Sequence, residues 1–467
     1  MTITLQNTEK GQCYAVKFDR YRQQVVDKLK SSVSIRWWDK QTGAWLIPAT
    51  NKCKAELDQL TYYVRHFEPV QWGTVAQLQT EEDVAFQIPE MPELDGDHGL
   101  KVQPYPYQLQ GIARGLQLKR FINGDDMGLG KSLESIATIN KADAFPCLVI
   151  CPNVVKINWQ REWHKFTDKK AMVLTDSVRD SWPFFWQTGM NQVFIVNYES
   201  LRKYFVRRIT KAEKWTLKDV EFHNTIKLFK SVIIDESHKV KSTATQQTKF
   251  CKGIASGKEY IILLTGTPVV NKPKDLVAQL GIMDRMIDMG GWKGFMLRYC
   301  SGPNQASNLK ELNYRLWKHC FFRREKSKVL TQLPDKVRQI VSCEITNRKE
   351  YMDAERDLID YLKRYKEADD EKIQKSLKGE VMVRIGILKD ITARGKLKEV
   401  IDFVKDFREN GKKIILFCNL HEIVDRLMIA FPSAVCVTGR QNMQEKQASV
   451  DAFQKNPKTD VIICSIK

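Results

Sequence analysis

Short apolar runs separated by amphipathic stretches dominate the middle of the chain. Four such runs lie at residues 147–151, 193–196, 232–234 and 261–264. Continuous apolar runs with helical patterns between them are typical of buried parallel strands joined by crossover helices. The pattern therefore predicts an α/β domain built on a parallel sheet, which we place at residues 104–345.

A second α/β pattern follows a charged segment. Residues 346–390 carry many charges and little strand signal, so they predict a helical connector. Helix and strand patterns then alternate across residues 391–467 and end inside a sheet. The predicted strands are 413–418, 434–438 and 460–466, and the predicted helices are 396–407, 421–430 and 444–453. We therefore expect the first part of a second parallel-sheet domain.

The first 86 residues predict a separate small α+β module. Apolar and polar positions alternate at residues 14–18, and strand-like segments on both sides of Gly43 predict a hairpin. Three tryptophans of this hairpin stand beside basic residues, a combination that can stack bases. A small domain also needs large aromatic side chains for its core, and we favour that role for at least two of them. Residues 87–103, rich in proline and acids, predict a linker.

The composition excludes several classes of protein. Hydrophobic residues make up 43% of the chain, enough to bury a core in each domain, so wholesale disorder is excluded. The longest apolar runs have five residues, and a membrane-spanning helix needs about 20. No export signal is visible, and the eleven cysteines form no Cys-x-x-Cys pair. We therefore expect reduced cysteines, no membrane partner, and a cytoplasmic or nucleoid-associated protein, nuclear in a eukaryote.

The charge balance suggests a polyanionic partner. Lys and Arg number 75 against 56 Asp and Glu, which leaves a formal net charge of +19. A surplus of this size favours phosphate contacts, and an anionic lipid surface would meet the same charge. Residues 201–230 hold nine Lys and Arg against three Asp and Glu. Charge runs are usually solvated faces, and for this run we favour nucleic-acid contact over that alternative.

A glycine-containing segment at residues 125–132 supplies the chemistry for binding phosphate. It reads Asp-Asp-Met-Gly-Leu-Gly-Lys-Ser and opens a predicted helix. Gly128 and Gly130 would allow backbone amides to approach phosphate oxygens. Lys131 would bring a cation to the β and γ phosphates, and the hydroxyl of Ser132 could ligate magnesium. The general pattern has glycine at the first of these positions, so the segment alone is an incomplete match.

Two acids end a later apolar strand and complete the predicted site. Asp235 and Glu236 follow the run at 232–234, at the carboxyl edge of the sheet where α/β proteins bind ligands. Asp235 would hold magnesium, usually through water, and Glu236 would polarise the attacking water as general base. Together with Lys131, whose loop lies at the same predicted sheet, they predict a catalytic site for ATP and Mg²⁺.

These motifs resemble those of the Swi/Snf-related ATPases of helicase superfamily two. Residues 125–132 match that family's own form of the phosphate loop, and residues 322–336 resemble a block specific to it. Motif by motif, the resemblance covers residues 104–467. It implies tandem RecA-like lobes, the second incomplete, and the N-terminal module is similar to the HepA-related, annealing-helicase branch.

The resemblance also implies roles for individual residues. Gln108 would contact the adenine base. His238, together with three residues that follow the apolar run at 261–264, would couple hydrolysis to lobe movement. The implied ATP-binding residues are Gln108, Asp126, Met127, Gly128, Leu129, Gly130, Lys131 and Ser132. The implied coupling residues are His238, Thr265, Gly266 and Thr267. The implied DNA contacts are Pro152, Asn153, Trp159, Asn197 and Tyr198.

The function implied by the resemblance is that of a DNA-dependent ATPase and translocase, which remodels or reanneals duplex or forked DNA without sequence specificity. In that family, motifs V and VI would follow residue 467, and we expect a further C-terminal segment to complete the second lobe. Motif VI supplies arginine fingers, which contribute about 10³ to 10⁵ in rate. The alternative is therefore an ATP- and DNA-binding module without independent turnover. An RNA-directed helicase is a second alternative.

Overall fold

The chain folds into two units, Met1–Leu333 and Pro334–Lys467, in a computed structural model. The structure describes residues 1–8, 11–72, 86–269, 271–301, 305–334, 336–356 and 380–466. The boundary between the units falls before the predicted boundary after residue 345. Residues 86–103, most of which we predicted to be a linker, form neither helix nor strand. No helix in the described ranges combines the length and apolar character needed to cross a membrane.

The first unit begins with a five-stranded sheet packed on two helices. The elements are β1 Thr2–Thr8, β2 Gly11–Lys17, α1 Gln23–Ser32, β3 Trp37–Asp39, β4 Ala44–Pro48, α2 Asn51–Val64 and β5 Gln71–Trp72. Strand order is β3-β4-β2-β1-β5, and β3 and β4 form the predicted hairpin. Trp37 and Trp45 pack against apolar clusters of the module, whereas Trp38 is 49% exposed. Two of the three tryptophans therefore pack against the core, as predicted.

A seven-stranded sheet forms the centre of the first unit. Its strands are β6 Arg120–Asn123, β7 Cys147–Cys151, β8 Ala171–Val173, β9 Val193–Asn197, β12 Ser231–Asp235, β13 Tyr260–Leu264 and β14 Phe321–Phe322. Between β9 and β12 in the chain, β10 Val206–Ile209 and β11 Val220–Phe222 form a separate antiparallel pair. The order in the seven-stranded sheet is β14-β6-β13-β12-β7-β9-β8, and every pairing in it is parallel. This confirms the predicted parallel sheet, because the four predicted strands correspond to β7, β9, β12 and β13.

Helices connect these strands and bury their apolar faces on both sides of the sheet. They are α3 Pro106–Leu118, α4 Lys131–Lys141, α5 Lys156–Phe166, α6 Trp182–Gln187, α7 Leu201–Phe205, α8 Gln246–Ala255, α9 Leu276–Ile282, α10 Gly291–Tyr299, α11 Leu309–His319 and α12 Lys326–Val329. In the register of the sheet, Asp235 lies opposite Leu264, which lies opposite Asn123. The carboxyl ends of β12, β13 and β6 are therefore neighbours.

The N-terminal module docks on α10 through the beginning of β2. Arg298 donates from Nη1 to the carbonyl oxygen of Gln12 at 3.0 Å, and from Nε to the Oε2 atom of Glu311 at 2.6 Å. Gly11 has φ +100°, and a Cβ there would lie 2.0 Å from Nη1 of Arg298. Glycine is therefore required at this contact for both conformation and space.

The second unit contains a three-stranded parallel sheet in the order β15-β17-β16. Its elements are α13 Arg348–Arg356, α14 Glu380–Gly395, α15 Leu397–Glu409, β15 Ile414–Cys418, α16 His421–Ala430, β16 Val435–Val437, α17 Met443–Lys455 and β17 Val461–Ser465. These confirm the predicted alternation of strands and helices. Apart from a turn at residues 346–347, the described parts of the predicted connector are helical, and residues 357–379 lie outside the described residues.

Candidate active site

The loop between β6 and α4 has the backbone conformation of a phosphate cradle. Gly128 and Gly130 have φ +86° and +89°, a region that glycine adopts without steric cost. A Cβ on Gly130 would lie 2.3 Å from Nε2 of Gln108, so a side chain does not fit there. Gly130 also caps α4, which directs the loop amides and the helix N-terminus to the same place.

Gln108 is buried beneath this loop. Its Oε1 accepts a hydrogen bond from the backbone N–H of Tyr105 at 3.0 Å, and its Nε2 donates to the carbonyl oxygen of Leu129 at 3.0 Å. The side chain thus ties the beginning of α3 to the loop. Contact between Gln108 and an adenine base stays a prediction.

The ammonium of Lys131 lies against its own loop. Its Nζ donates to the carbonyl oxygens of Asp125 at 2.8 Å and of Asp126 at 3.3 Å. Burial lowers the pKa of Lys131, and the carboxylates of Asp125, Glu236 and Asp235 act in the opposite direction. The two acids at the end of β12 are therefore close enough to act electrostatically on the lysine.

The acid pair is held in a defined geometry. Asp235 accepts the Glu236 backbone N–H on Oδ1 and the indole N–H of Trp159 on Oδ2, each at 2.9 Å. Burial raises the pKa of Asp235, and the bond from Trp159 opposes that shift. Glu236 has φ +52° and ψ +49°. A non-glycine residue in this region costs about 1 to 2 kcal/mol, and such strain clusters at functional sites.

His238 links the acid pair to the loop after β13. Its Nδ1 lies 3.2 Å from Oε2 of Glu236 and 3.3 Å from Oγ1 of Thr265. The Oγ1 of Thr265 also accepts the backbone N–H of Thr267 at 3.1 Å, and Gly266 lies between them. The predicted coupling residues therefore lie together, and His238 contacts the predicted general base.

A buried ion cluster that the sequence did not predict holds the first acid of the phosphate loop. Arg324, 8% exposed, donates its backbone N–H to Oδ1 of Asp125 at 2.7 Å and its Nε to both carboxylate oxygens at 3.1 Å. Its Nη2 pairs with Glu134 at 2.6 Å, and Asn123 donates to Glu134 at 2.9 Å. Burial raises the pKa of Glu134 well above its ordinary value, although the guanidinium opposes it.

The second acid of the loop is held by the same segment. Asp126 accepts hydrogen bonds from Nη2 of Arg323 at 3.1 Å and from the backbone N–H of Lys326 at 3.0 Å. Residues 323–326 belong to the family-specific block, but their contacts join positions about 200 apart in the chain. Only the block itself was therefore visible in the sequence, and its contact with the phosphate loop was not.

The donor set at this edge of the sheet suits Mg²⁺. Ser132 lies in the first turn of α4. Burial raises the pKa of Glu162, and the nearby hydroxyl of Ser132 acts in the opposite direction. The Oε2 atom of Glu162 is buried and has no hydrogen-bond partner in the part of the chain that the structure describes. Within the same described ranges, no three His, Cys, Asp or Glu residues form a metal cage. Mg²⁺ usually binds one or two carboxylates together with substrate phosphates, so Ser132 and Asp235 fit it.

The structure separates the five predicted DNA contacts into two groups. Asn153 is exposed and Pro152 half-buried, whereas Asn197 is buried, and its amide bonds Glu199 and Ser200 at 2.8 Å. Trp159 is 2% exposed and Tyr198 is 1% exposed. A nucleic-acid strand cannot reach a buried side chain, so direct DNA contact by the side chains of Asn197, Trp159 and Tyr198 is corrected. DNA contact by Pro152 and Asn153 stays a prediction.

A glycine-bearing loop with its lysine after β6, together with an acid pair at the end of β12, two strands away in the same parallel sheet, defines a phosphate-loop nucleotide-binding domain. Residues 44–397 match the sequence profile described as SNF2-related domain. The chain therefore belongs to this family of helicase-like ATPase domains.

Two longer proteins are similar in sequence to this chain. The chain is 25% identical over 478 residues to the "SWI/SNF-related matrix-associated actin-dependent regulator of chromatin subfamily A-like protein 1 homolog" of Caenorhabditis elegans, covering 98% of this chain and 64% of that one. It is 26% identical over 391 residues to human "DNA annealing helicase and endonuclease ZRANB3", covering 79% and 34%. The chain thus spans less than two thirds of either relative.

The Sulfolobus solfataricus SWI2/SNF2 ATPase core in complex with dsDNA superposes with a TM-score of 0.42 at 22% identity, covering 81% of this chain and 80% of that one.

Proposed function

We propose that this chain is a DNA-dependent ATPase and translocase that remodels or reanneals duplex or forked DNA. The observation that carries the proposal is the convergence of Lys131 with Asp235 and Glu236 at the carboxyl edge of one sheet. The similarity to a relative named as a DNA annealing helicase supports DNA as the partner. The phosphate loop and the acid pair support ATP hydrolysis. The basic residues of the segment 201–230 support contact with the phosphates of DNA.

The geometry suggests how the residues would act on ATP. The loop amides would bind phosphate oxygens, and the Lys131 ammonium would leave the carbonyl oxygens of Asp125 and Asp126 for the β and γ phosphates. Glu236 would accept a proton from the attacking water. His238 would transmit the state of Glu236 to Thr265. Mg²⁺ held by Ser132 and Asp235 would neutralise part of the phosphate charge.

A basic cavity near the site supports the nucleic-acid partner. It has a volume of about 420 Å³, and its lining residues are Glu199, Arg202, Lys203, Val206, Arg207, Arg208 and Ile209. Lys203 and Arg208 pair with acids, each at 2.7 Å. In the described part of the chain, Arg202 and Arg207 form no ion pair. These two guanidinium groups are therefore available for the phosphates of a DNA backbone.

Replacing both Arg202 and Arg207 with alanine is expected to weaken duplex DNA binding at low salt. Each lost phosphate contact should reduce the slope of log K against log salt by about 0.9. The measurement is fluorescence anisotropy with a labelled duplex over a range of salt concentrations. Arg208→Ala is the matched control, because Glu221 already holds that guanidinium with two hydrogen bonds. A double variant with the slope of the unaltered chain would remove the cavity from the DNA interface.

The proposed function is tested by steady-state ATP hydrolysis of the 467-residue chain alone, with duplex DNA and with duplex RNA. Turnover that DNA stimulates and RNA does not is the expected result. Binding of ATP and DNA without turnover would support the binding module instead. Equal or greater stimulation by RNA would favour an RNA-directed helicase.

A further inference from the structure

Asp235 is held by hydrogen bonds from three different segments of the chain. Besides the Glu236 amide on Oδ1, the indole N–H of Trp159 reaches Oδ2 at 2.9 Å. The hydroxyl of Tyr198 donates to the backbone carbonyl oxygen of Asp235 at 2.5 Å. Both carboxylate oxygens and the carbonyl oxygen are therefore engaged by the protein.

Trp159 has a single side-chain hydrogen bond to donate, and Asp235 accepts it. The ring is buried on α5, and an indole has one N–H to donate. One helical turn further along, Trp163 is also fully buried, but its indole N–H has no acceptor among the described residues. Trp159 and Trp163 are thus both buried on α5, and they differ in that the N–H of Trp159 bonds Asp235.

Tyr198 connects the same acid to the basic cavity. Its ring is buried, and it begins the short 3₁₀ segment Tyr198–Ser200 that leads directly into α7. Arg202, in the first turn of α7, lines the cavity. On the other side, α5 begins three residues after the exposed Asn153. The two side chains that bond Asp235 therefore belong to segments that continue, along the chain, to Arg202 and to Asn153.

We propose that Trp159 and Tyr198 are positioning residues that orient Asp235, and that DNA bound at the neighbouring surface acts on Asp235 through them. The inference rests on the proposed function, because it assumes that Asp235 faces the magnesium of a bound nucleotide. With Oδ1 held by the Glu236 amide and Oδ2 by the Trp159 indole, the carboxylate is held in one orientation, and its remaining lone pairs would face the magnesium. Loss of either bond frees the acid to rotate or shift, without removing any group that touches the nucleotide.

The test is equilibrium binding of a fluorescent ATP analogue over a range of Mg²⁺ concentrations and in EDTA. Trp159→Phe removes the N–H and keeps an aromatic ring, and it should raise the Mg²⁺ concentration for half-maximal binding about tenfold. Binding in EDTA should stay unchanged, because the phosphate loop is intact. Trp163→Phe should leave both quantities unchanged. A Trp159→Phe chain that matches Trp163→Phe would overturn the positioning role.

Duplex DNA provides the second arm of the test. In the unaltered chain, saturating DNA should lower the Mg²⁺ concentration for half-maximal binding, and Tyr198→Phe should abolish most of that shift. Tyr204→Phe is the control, since the Tyr204 hydroxyl bonds Asp176 at 3.0 Å instead. A full DNA shift in Tyr198→Phe would overturn the route through this tyrosine. Absence of ATP binding by the unaltered chain would overturn the proposed function. ATP binding by the unaltered chain without the expected effects of Trp159→Phe and Tyr198→Phe would overturn this inference alone.

Discussion

Lys131→Ala is expected to reduce DNA-stimulated ATP turnover by about 10²- to 10³-fold. Lys131 is the cation within the phosphate loop, and its ammonium already lies between loop carbonyl oxygens, near the acid pair. Without it, charge that develops on the transferred phosphate loses its nearest positive partner. The measurement is the steady-state rate at saturating ATP and duplex DNA.

Lys141→Ala is the matched control for this experiment. Lys141 lies at the other end of the same helix and donates to the carbonyl oxygen of Asp97 at 2.6 Å, on the surface. Its removal should leave turnover close to that of the unaltered chain. Comparable rates for Lys131→Ala and the unaltered chain would show that hydrolysis occurs elsewhere.

Arg324→Met is expected to lower the free energy of unfolding of the first unit by about 3 to 5 kcal/mol. The guanidinium is the shared partner of Asp125 and Glu134, whose side chains are 0% and 2% exposed. Methionine fills similar space but leaves both acids buried without a cation. The measurement is urea unfolding followed by tryptophan fluorescence, since several tryptophans of this unit are buried.

Arg323→Met separates this effect from a general loss of charge. The Arg323 side chain is 45% exposed and pairs with Asp126 at 3.1 Å. Exposed pairs contribute about 0 to 1 kcal/mol, so the unfolding midpoint should move little. Equal shifts for the two neighbouring substitutions would contradict the idea that the buried cluster holds the phosphate loop.

The fold was predictable where burial is complete. Strands β7, β9, β12 and β13 lie inside the sheet with apolar residues at nearly every position, so each forms a visible run. Strands β6, β8 and β14 have four, three and two residues, too few to show a pattern. Their place is set by pairing with neighbours distant in the chain. The same applies to β1, which is identified by its pairing with β2.

The site was predictable where its residues are close in the chain. Loop glycines, Lys131 and the acids Asp235 and Glu236 form short motifs with their own chemistry. Arg324 could not be placed, because its partner Asp125 is separated from it by 199 positions. Trp159 was assigned to DNA because its segment resembles a DNA-contacting motif, but the direction of a side chain depends on the rotation of its helix. In the structure that rotation turns the ring towards Asp235.

The central claim is that the phosphates of one nucleotide bind at Lys131, beside the acid pair. The most direct measurement is the affinity of the unaltered chain and of Lys131→Ala for ATP, ADP and AMP, each with Mg²⁺, by isothermal titration calorimetry. We predict that the unaltered chain binds ATP and ADP more tightly than AMP, and that Lys131→Ala loses this preference. An undiminished preference for ATP in Lys131→Ala would contradict the account, because the phosphates would then bind away from this loop.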